Sequence, residues 1–169
     1  MAWTASNPVS IGNATKKSDY DKLWDNVALL AGNPWMVDIN PFLTATSNVN
    51  WSTITAITGQ LGGFVSRSGG SQNDEIVFPI FLSAGTWTFS MLHQKNTDVG
   101  IYSVQFDTVE KGTIDGYDGG QQLNQIGTVT GITVSAPAKI ALKLKMATKN
   151  GSSSSYYSAV TAIRLLRTA

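Results

Sequence analysis

The chain has 169 residues, 42% of them hydrophobic and only 14% charged, with a formal net charge of +1. That length supports one domain with a short appendage, and the near-zero charge excludes a global field that would draw in nucleic acid or an anionic membrane. The absence of cysteine excludes disulfides and thiolate metal sites, and no apolar run approaches the ~18 residues needed to span a bilayer.

Residues 1–17 are polar and irregular, with turn signals at Asn7-Pro8 and Gly12-Asn13. They lack the basic region and apolar core of a secretion signal. Trp3, Val9 and Ile11 cannot make a core by themselves, so the segment reads either as a frayed terminus or as a docking arm, and Trp3 favours docking.

One helix is predicted next. Ser18 is its N-cap, and Asp21 stands three residues on, where a capping box would have Glu or Gln. Asp19 and Asp21 also suit the positive end of the helix dipole. Tyr20, Leu23, Trp24, Val27 and Leu30 recur at helical spacing and form one apolar face. Gly32 supplies the stop, and Pro34 prevents continuation. A helix of about three turns is too short to persist alone, so this face must pack on the rest of the chain or on copies of itself.

The remainder reads as strands. Residues 35–39 and 50–57 are predicted as two early strands, and 66–73 as a loop. Ile76 to Leu82 is a buried run in which Pro79 signals an edge or a bulge. Thr86 to Leu92 alternates Trp87, Phe89 and Met91 inwards, and Ile101 to Phe106 alternates Tyr102, Val104 and Phe106. Strands at 128–134, 139–146 and 156–166 follow. In the stretch 139–146, Ile140, Leu142, Leu144 and Met146 alternate with Lys139, Ala141, Lys143 and Lys145, one greasy face and one mostly lysine face. A lysine row on a strand is a solvated face or a protected edge. Strands spaced at roughly eight to fifteen residues predict a mainly β fold, an antiparallel β-sandwich or jelly roll.

Chemistry has few places to live. His93 is the single histidine, and no Gly-x-Ser-x-Gly elbow occurs. One histidine without cysteine leaves a zinc site to carboxylates and water. His93 therefore reads as a structural residue or as the rim of a binding surface. Asp107, Asp115 and Asp118 form an acidic cluster in sequence, of the kind that runs glycoside hydrolysis or binds calcium. Asp-Thr and Asp-Gly at strand ends are ordinary turn chemistry, which is the preferred reading. Tyr117, Tyr156 and Tyr157 lie beside Gly and Ser loops and, with Asp118, are candidates for a sugar-binding surface.

The stretches Ala84-Gly-Thr-Trp-Thr-Phe, Asp98-Val-Gly-Ile-Tyr-Ser-Val-Gln-Phe-Asp107, Gly112-Thr-Ile-Asp-Gly-Tyr117, Gly131-Ile-Thr-Val and Lys149-Asn-Gly-Ser-Ser resemble C-terminal jelly-roll domains of tailed-phage virion proteins. The front segment from Ile11 to Val27 looks like the short attachment segment that precedes such domains. Sugar-binding sandwich modules share several of the same turns, although Thr108 stands where they often have Gly after the Asp.

The resemblance implies a non-enzymatic structural protein, a capsid-decorating or head-fibre homotrimer without cofactor or metal. It would be made in the bacterial host cytoplasm and carried on the virion surface. Residues 1–33 would attach and oligomerise through Trp3, Val9, Ile11, Tyr20, Leu23, Trp24 and Val27, and residues 34–169 would form the jelly roll. Its partners would be further copies of itself, major capsid or tail proteins, and host surface polysaccharide, with no nucleic acid and no membrane. The alternatives are a receptor-binding tail component or a free carbohydrate-binding module. Both would use the loops that hold Tyr117, Asp118, Tyr156 and Tyr157.

Overall fold

A computed structural model describes residues 36–41, 46–47, 51–54, 58–61 and 63–169. The predicted helix and the attachment residues Trp3, Val9, Ile11, Tyr20, Leu23, Trp24 and Val27 lie outside the described residues. So do residues 50 and 55–57 of the expected strand 50–57, whose described part holds a three-residue strand at 52–54.

Eleven strands occur among the described residues: β1 (Met36–Ile39), β2 (Thr46–Ser47), β3 (Ser52–Ile54), β4 (Phe64–Arg67), β5 (Glu75–Leu82), β6 (Gly85–Lys95), β7 (Ile101–Phe106), β8 (Val109–Asp115), β9 (Gln122–Val134), β10 (Ala138–Thr148) and β11 (Ser158–Arg167). They form two antiparallel sheets that face each other as a jelly roll. One has the order β3-β4-β11-β6-β9, with β1 on the same side of β11 as β4. The other has the order β2-β5-β10-β7-β8. β11 changes neighbour along its length, since Ser158 to Val160 pair with β4 and Ile163 to Leu166 pair with β1.

The alternation of the sequence builds the core directly. Trp87, Phe89 and Met91 of β6 point inward, opposite Ile140, Leu142, Leu144 and Met146 of β10, and all seven are buried. Tyr102, Val104 and Phe106 join them from β7 as expected. Each large apolar side chain buried this way contributes about 1.5–3 kcal/mol. Two polar groups inside this core are satisfied by backbone. The Trp87 indole Nε1 donates to the Ser83 carbonyl at 3.0 Å, and the Ala159 amide donates to the Tyr102 hydroxyl at 3.0 Å, which ties one sheet to the other.

The outward side of β10 is less wet than its lysines imply. Lys143 is half-buried and pairs with Glu75 of β5 at 3.5 Å, and Ala141 stands opposite Pro79. Pro79 causes no bulge. Among the described residues, β2 pairs only with Ile76 and Val77 of β5, so none of the β2 pairs there involves the missing N–H of Pro79.

Two sequence expectations are corrected, and one strand appears that the sequence reading did not name. Ser66 and Arg67 belong to β4 rather than to a loop. Residues 109–115 form a strand, and β9 begins at Gln122, six residues earlier than its apolar pattern. β8 is an edge strand in which only Ile114 is buried, so it has no period-two signal to read. The strand also takes apart the acidic cluster, because Asp107 lies in the β7–β8 turn and Asp115 at the far end of β8.

On one side the two sheets close through β8 and β9. A Cβ on Gly127 would lie 2.4 Å from the Ile114 Cγ2, so only glycine lets these two edges meet. On the outer face of the six-stranded sheet, residues 58–61 cross from the β3–β4 side to β9. The Leu61 amide donates to Asn124 Oδ1 at 2.8 Å, and Asn124 Nδ2 donates to the Gly59 carbonyl at 2.8 Å. Gln60 Nε2 donates to Thr161 Oγ1 of β11 at 2.6 Å on the way.

Candidate functional site

Three connections converge at one end of the sandwich: β6–β7 (96–100), β8–β9 (116–121) and β10–β11 (149–157). The middle loop, 96–100, holds the other two. The Asn96 amide donates to the Gly116 carbonyl, and the Asp118 amide donates back to the Asn96 carbonyl, at 3.1 and 3.2 Å. On its other side, the Tyr157 amide donates to Asp98 and the Ser154 amide to Thr97, both at 2.9 Å. The result is two short parallel bridges, Asn96 with Tyr117 and Val99 with Tyr157. The loops are thus hydrogen-bonded to one another almost as strands are, which makes this end rigid.

Gly116 permits the convergence. A Cβ there would lie 2.1 Å from Val99 Cγ1 and 2.8 Å from the Gly100 carbonyl oxygen. Next to it, the carboxylate of Asp115 accepts from the Tyr117 amide at 2.8 Å and from Asn150 Nδ2 at 3.0 Å. That carboxylate therefore fixes the loop carrying Tyr117 and the loop carrying Tyr156. Asp118 accepts from the Gly120 amide at 3.3 Å, a turn contact of the kind its sequence predicts. The hydroxyl of Ser153 is buried within 2.9 Å of the carbonyl oxygens of Val99 and Ser155.

The four sequence candidates are brought to this one end, in different settings. Tyr117, Asp118, Tyr156 and Tyr157 are all half-buried. Tyr157 is part of the frame. Burial raises its phenol above the ordinary tyrosine range, opposed by a hydrogen bond with Ser66 and reinforced by the negative charge of Asp98. Tyr156 packs against the core with part of its ring open, and the Lys149 ammonium stands 5.7 Å from the ring centroid. The sequence reading missed Asn96, Lys149 and Asn150, whose roles depend on contacts between loops far apart in the chain. Asp98 is the most informative addition. Its Oδ1 is buried and accepts no hydrogen bond from the described residues.

His93 is not part of this surface. It points between the sheets from β6, 1% exposed, with Nδ1 3.1 Å from the Gln94 carbonyl oxygen. Burial lowers its pKa to about 4. It is a structural residue, the first of the two readings its sequence allowed. Among the described residues, no three His, Asp or Glu side chains converge as metal ligands would.

No family model matches this chain, and no curated protein matches it either. Solved structures do. A xanthan lyase from Paenibacillus superposes with a TM-score of 0.62 at 20% identity, over 73% of this chain and 12% of the lyase. The chain thus spans about an eighth of that enzyme. The CBM36-1 domain of a multidomain xylanase, from the hindgut metagenome of Trinervitermes trinervoides, superposes with a TM-score of 0.56 at 14% identity, over 79% of this chain and 98% of the domain. A family 6 carbohydrate-binding module from Clostridium cellulolyticum, solved with xylose, gives 0.56 at 16%, over 75% of this chain and 94% of the module. The sandwich has the fold of these modules. At such identities the likeness concerns the fold and not the residues that touch a ligand.

Proposed function

We propose that the chain is a non-catalytic module that binds carbohydrate at the loop end of its sandwich. The observation that carries this reading is the convergence of loops 96–100, 116–121 and 149–157. They set the partly open rings of Tyr117 and Tyr156 among Asn96, Asp98, Lys149 and Asn150. A sugar presents C–H faces that lie against aromatic rings, and hydroxyls that need both donors and acceptors. The side-chain amides of Asn96 and Asn150 and the Lys149 ammonium supply both kinds. The near-complete overlap with isolated carbohydrate-binding modules supports the same reading at the level of fold.

A glycan array probed with the wild-type protein, Tyr156→Ala and Tyr117→Ala tests it. Binding to a defined glycan that both substitutions weaken at least about tenfold is expected. A wild-type protein that binds no glycan, or one whose binding both variants retain in full, overturns the reading.

A second reading is a homotrimeric virion surface protein. It is supported by the resemblance of residues 11–27 and of the strand and turn sequences to tailed-phage virion proteins. Its test is binding to capsids that lack their decoration.

A further inference from the structure

Among the described residues, five large hydrophobic side chains are exposed, and four of them, Met36, Leu61, Ile126 and Leu166, stand on the outer face of the six-stranded sheet. Register places them in rows. Met36 pairs with Leu166, and Ala162 lines up with Leu92 and then Ile126 across β11, β6 and β9. Between these rows, Arg164 grips Asp38 through Nε to Oδ1 at 2.7 Å and Nη2 to Oδ2 at 3.1 Å. A groove of about 710 Å³ runs across this face, lined by Leu61, Leu92, Ile126, Ala162 and the Asp38–Arg164 pair.

This groove is not built like a sugar site. Its apolar groups are aliphatic, with no aromatic ring among its lining residues, and its one cation and one anion neutralise each other. Leu, Ile and Met in a row match the apolar side chains of a protein segment. The chain itself carries such a segment. Residues 18–30 place Tyr20, Leu23, Trp24, Val27 and Leu30 on one face at helical spacing. That face is too short to hold a helix without a partner. The inside of the sandwich offers it no room, because the inward positions of both sheets are already filled by β-strand side chains.

The two surfaces are also close along the chain. Leu30 precedes Met36 by six residues, a reach of at most ~20 Å when extended. Met36 itself stands on the face in question. The groove crosses four strands, β1, β11, β6 and β9, a width of ~14 Å. A helix of 13 residues is ~20 Å long, enough to lie across it. So short a tether gives the segment a high effective concentration at this surface.

We propose that the outer face of the six-stranded sheet is the docking surface for residues 18–30 of the same chain. The Tyr20, Leu23, Trp24 and Val27 stripe lies against Leu61, Leu92 and Ile126. The segment then covers its own sandwich, and the loop end remains open for a ligand.

Amide hydrogen exchange on the full chain tests this, comparing wild type with Ile126→Lys and Trp24→Asp. Ile126 is 72% exposed, so its substitution leaves the sandwich intact. Amides of residues 18–30 are expected to exchange about tenfold faster in either variant than in wild type, with β10 and β11 unchanged and the protein a monomer by sedimentation. Equal exchange of residues 18–30 in wild type and Ile126→Lys overturns the proposal. So does an oligomer that Ile126→Lys dissociates, because the face would then belong to a second copy.

Discussion

The rings of His93 and Tyr102 meet edge to face inside the sandwich, with centroids 5.7 Å apart and planes at 82°. One comes from β6 and the other from β7, so the contact spans the two sheets. It also puts an ionisable ring where no solvent reaches it, which gives the fold a pH dependence.

An unfolded chain protonates His93 near pH 6.5, whereas the folded chain resists until about pH 4, chiefly because burial disfavours the imidazolium. Between those values the unfolded state binds more protons, so stability falls as pH falls through the window. It is level for this group above pH 6.5 and again below pH 4. The separation corresponds to ~3 kcal/mol. Urea unfolding of wild type and His93→Gln at pH 7 and pH 4.5 checks it. The gap between the two proteins should move in favour of His93→Gln at the lower pH, and a gap independent of pH would contradict the assignment.

Tyr102→Phe keeps the ring and removes the oxygen that accepts from the buried Ala159 amide. A buried donor left unpaired costs about 1–3 kcal/mol. We expect that loss in the unfolding free energy, with an unchanged far-ultraviolet circular dichroism spectrum. A loss below the error of the fit would mean that the amide finds another partner.

Gly116→Ala forces a methyl group into Val99 and the Gly100 carbonyl. The loops must part, and overpacking of this kind costs about 1–3 kcal/mol. Any glycan bound by the wild-type protein should bind more weakly to this variant, while Gly119→Ala, which meets nothing within 4 Å, should be neutral. Equal binding by both variants would show that the Gly116 approach does not shape the site.

The buried carboxylate of Asp74 organises the β4–β5 turn. It accepts from Arg67 Nε at 3.0 Å and from the Ser71 amide at 2.9 Å, and it is only 5% exposed. Asp74→Ala frees both donors and should loosen residues 68–73. Trypsin should then cleave after Arg67 several-fold faster than in wild type at native conditions. Unchanged cleavage would show that the backbone bonds between Asn73, Asp74 and Met146 suffice.

The legibility of the chain follows its periodicity. β6, β7 and β10 each bury one face and leave the other outward, so their inward residues could be named from alternation alone. β8 and the start of β9 could not be. They are edge strands whose polar residues face out on both sides, and the Gly112 and Gly127 contacts that hold them are between sheets. Tyr117, Tyr156 and Tyr157 were picked out because turn residues flank them. That Asn96 would bridge one of their loops and Asp98 the other depends on backbone pairing across about twenty and about sixty residues, which no local pattern encodes. The groove on the six-stranded sheet was likewise invisible, since its residues are the outward members of strands read for their inward ones.

The two strands at the middle of the two sheets, β10 and β11, are the last two in chain order. During synthesis, β5 and β7 emerge before the β10 they must flank, and β4 and β6 before β11. The nascent polypeptide therefore carries unpaired edges and uncovered Trp87, Phe89 and Tyr102 until residue 167 has left the ribosome. A sandwich with this strand order completes both of its sheets only when its last two strands arrive.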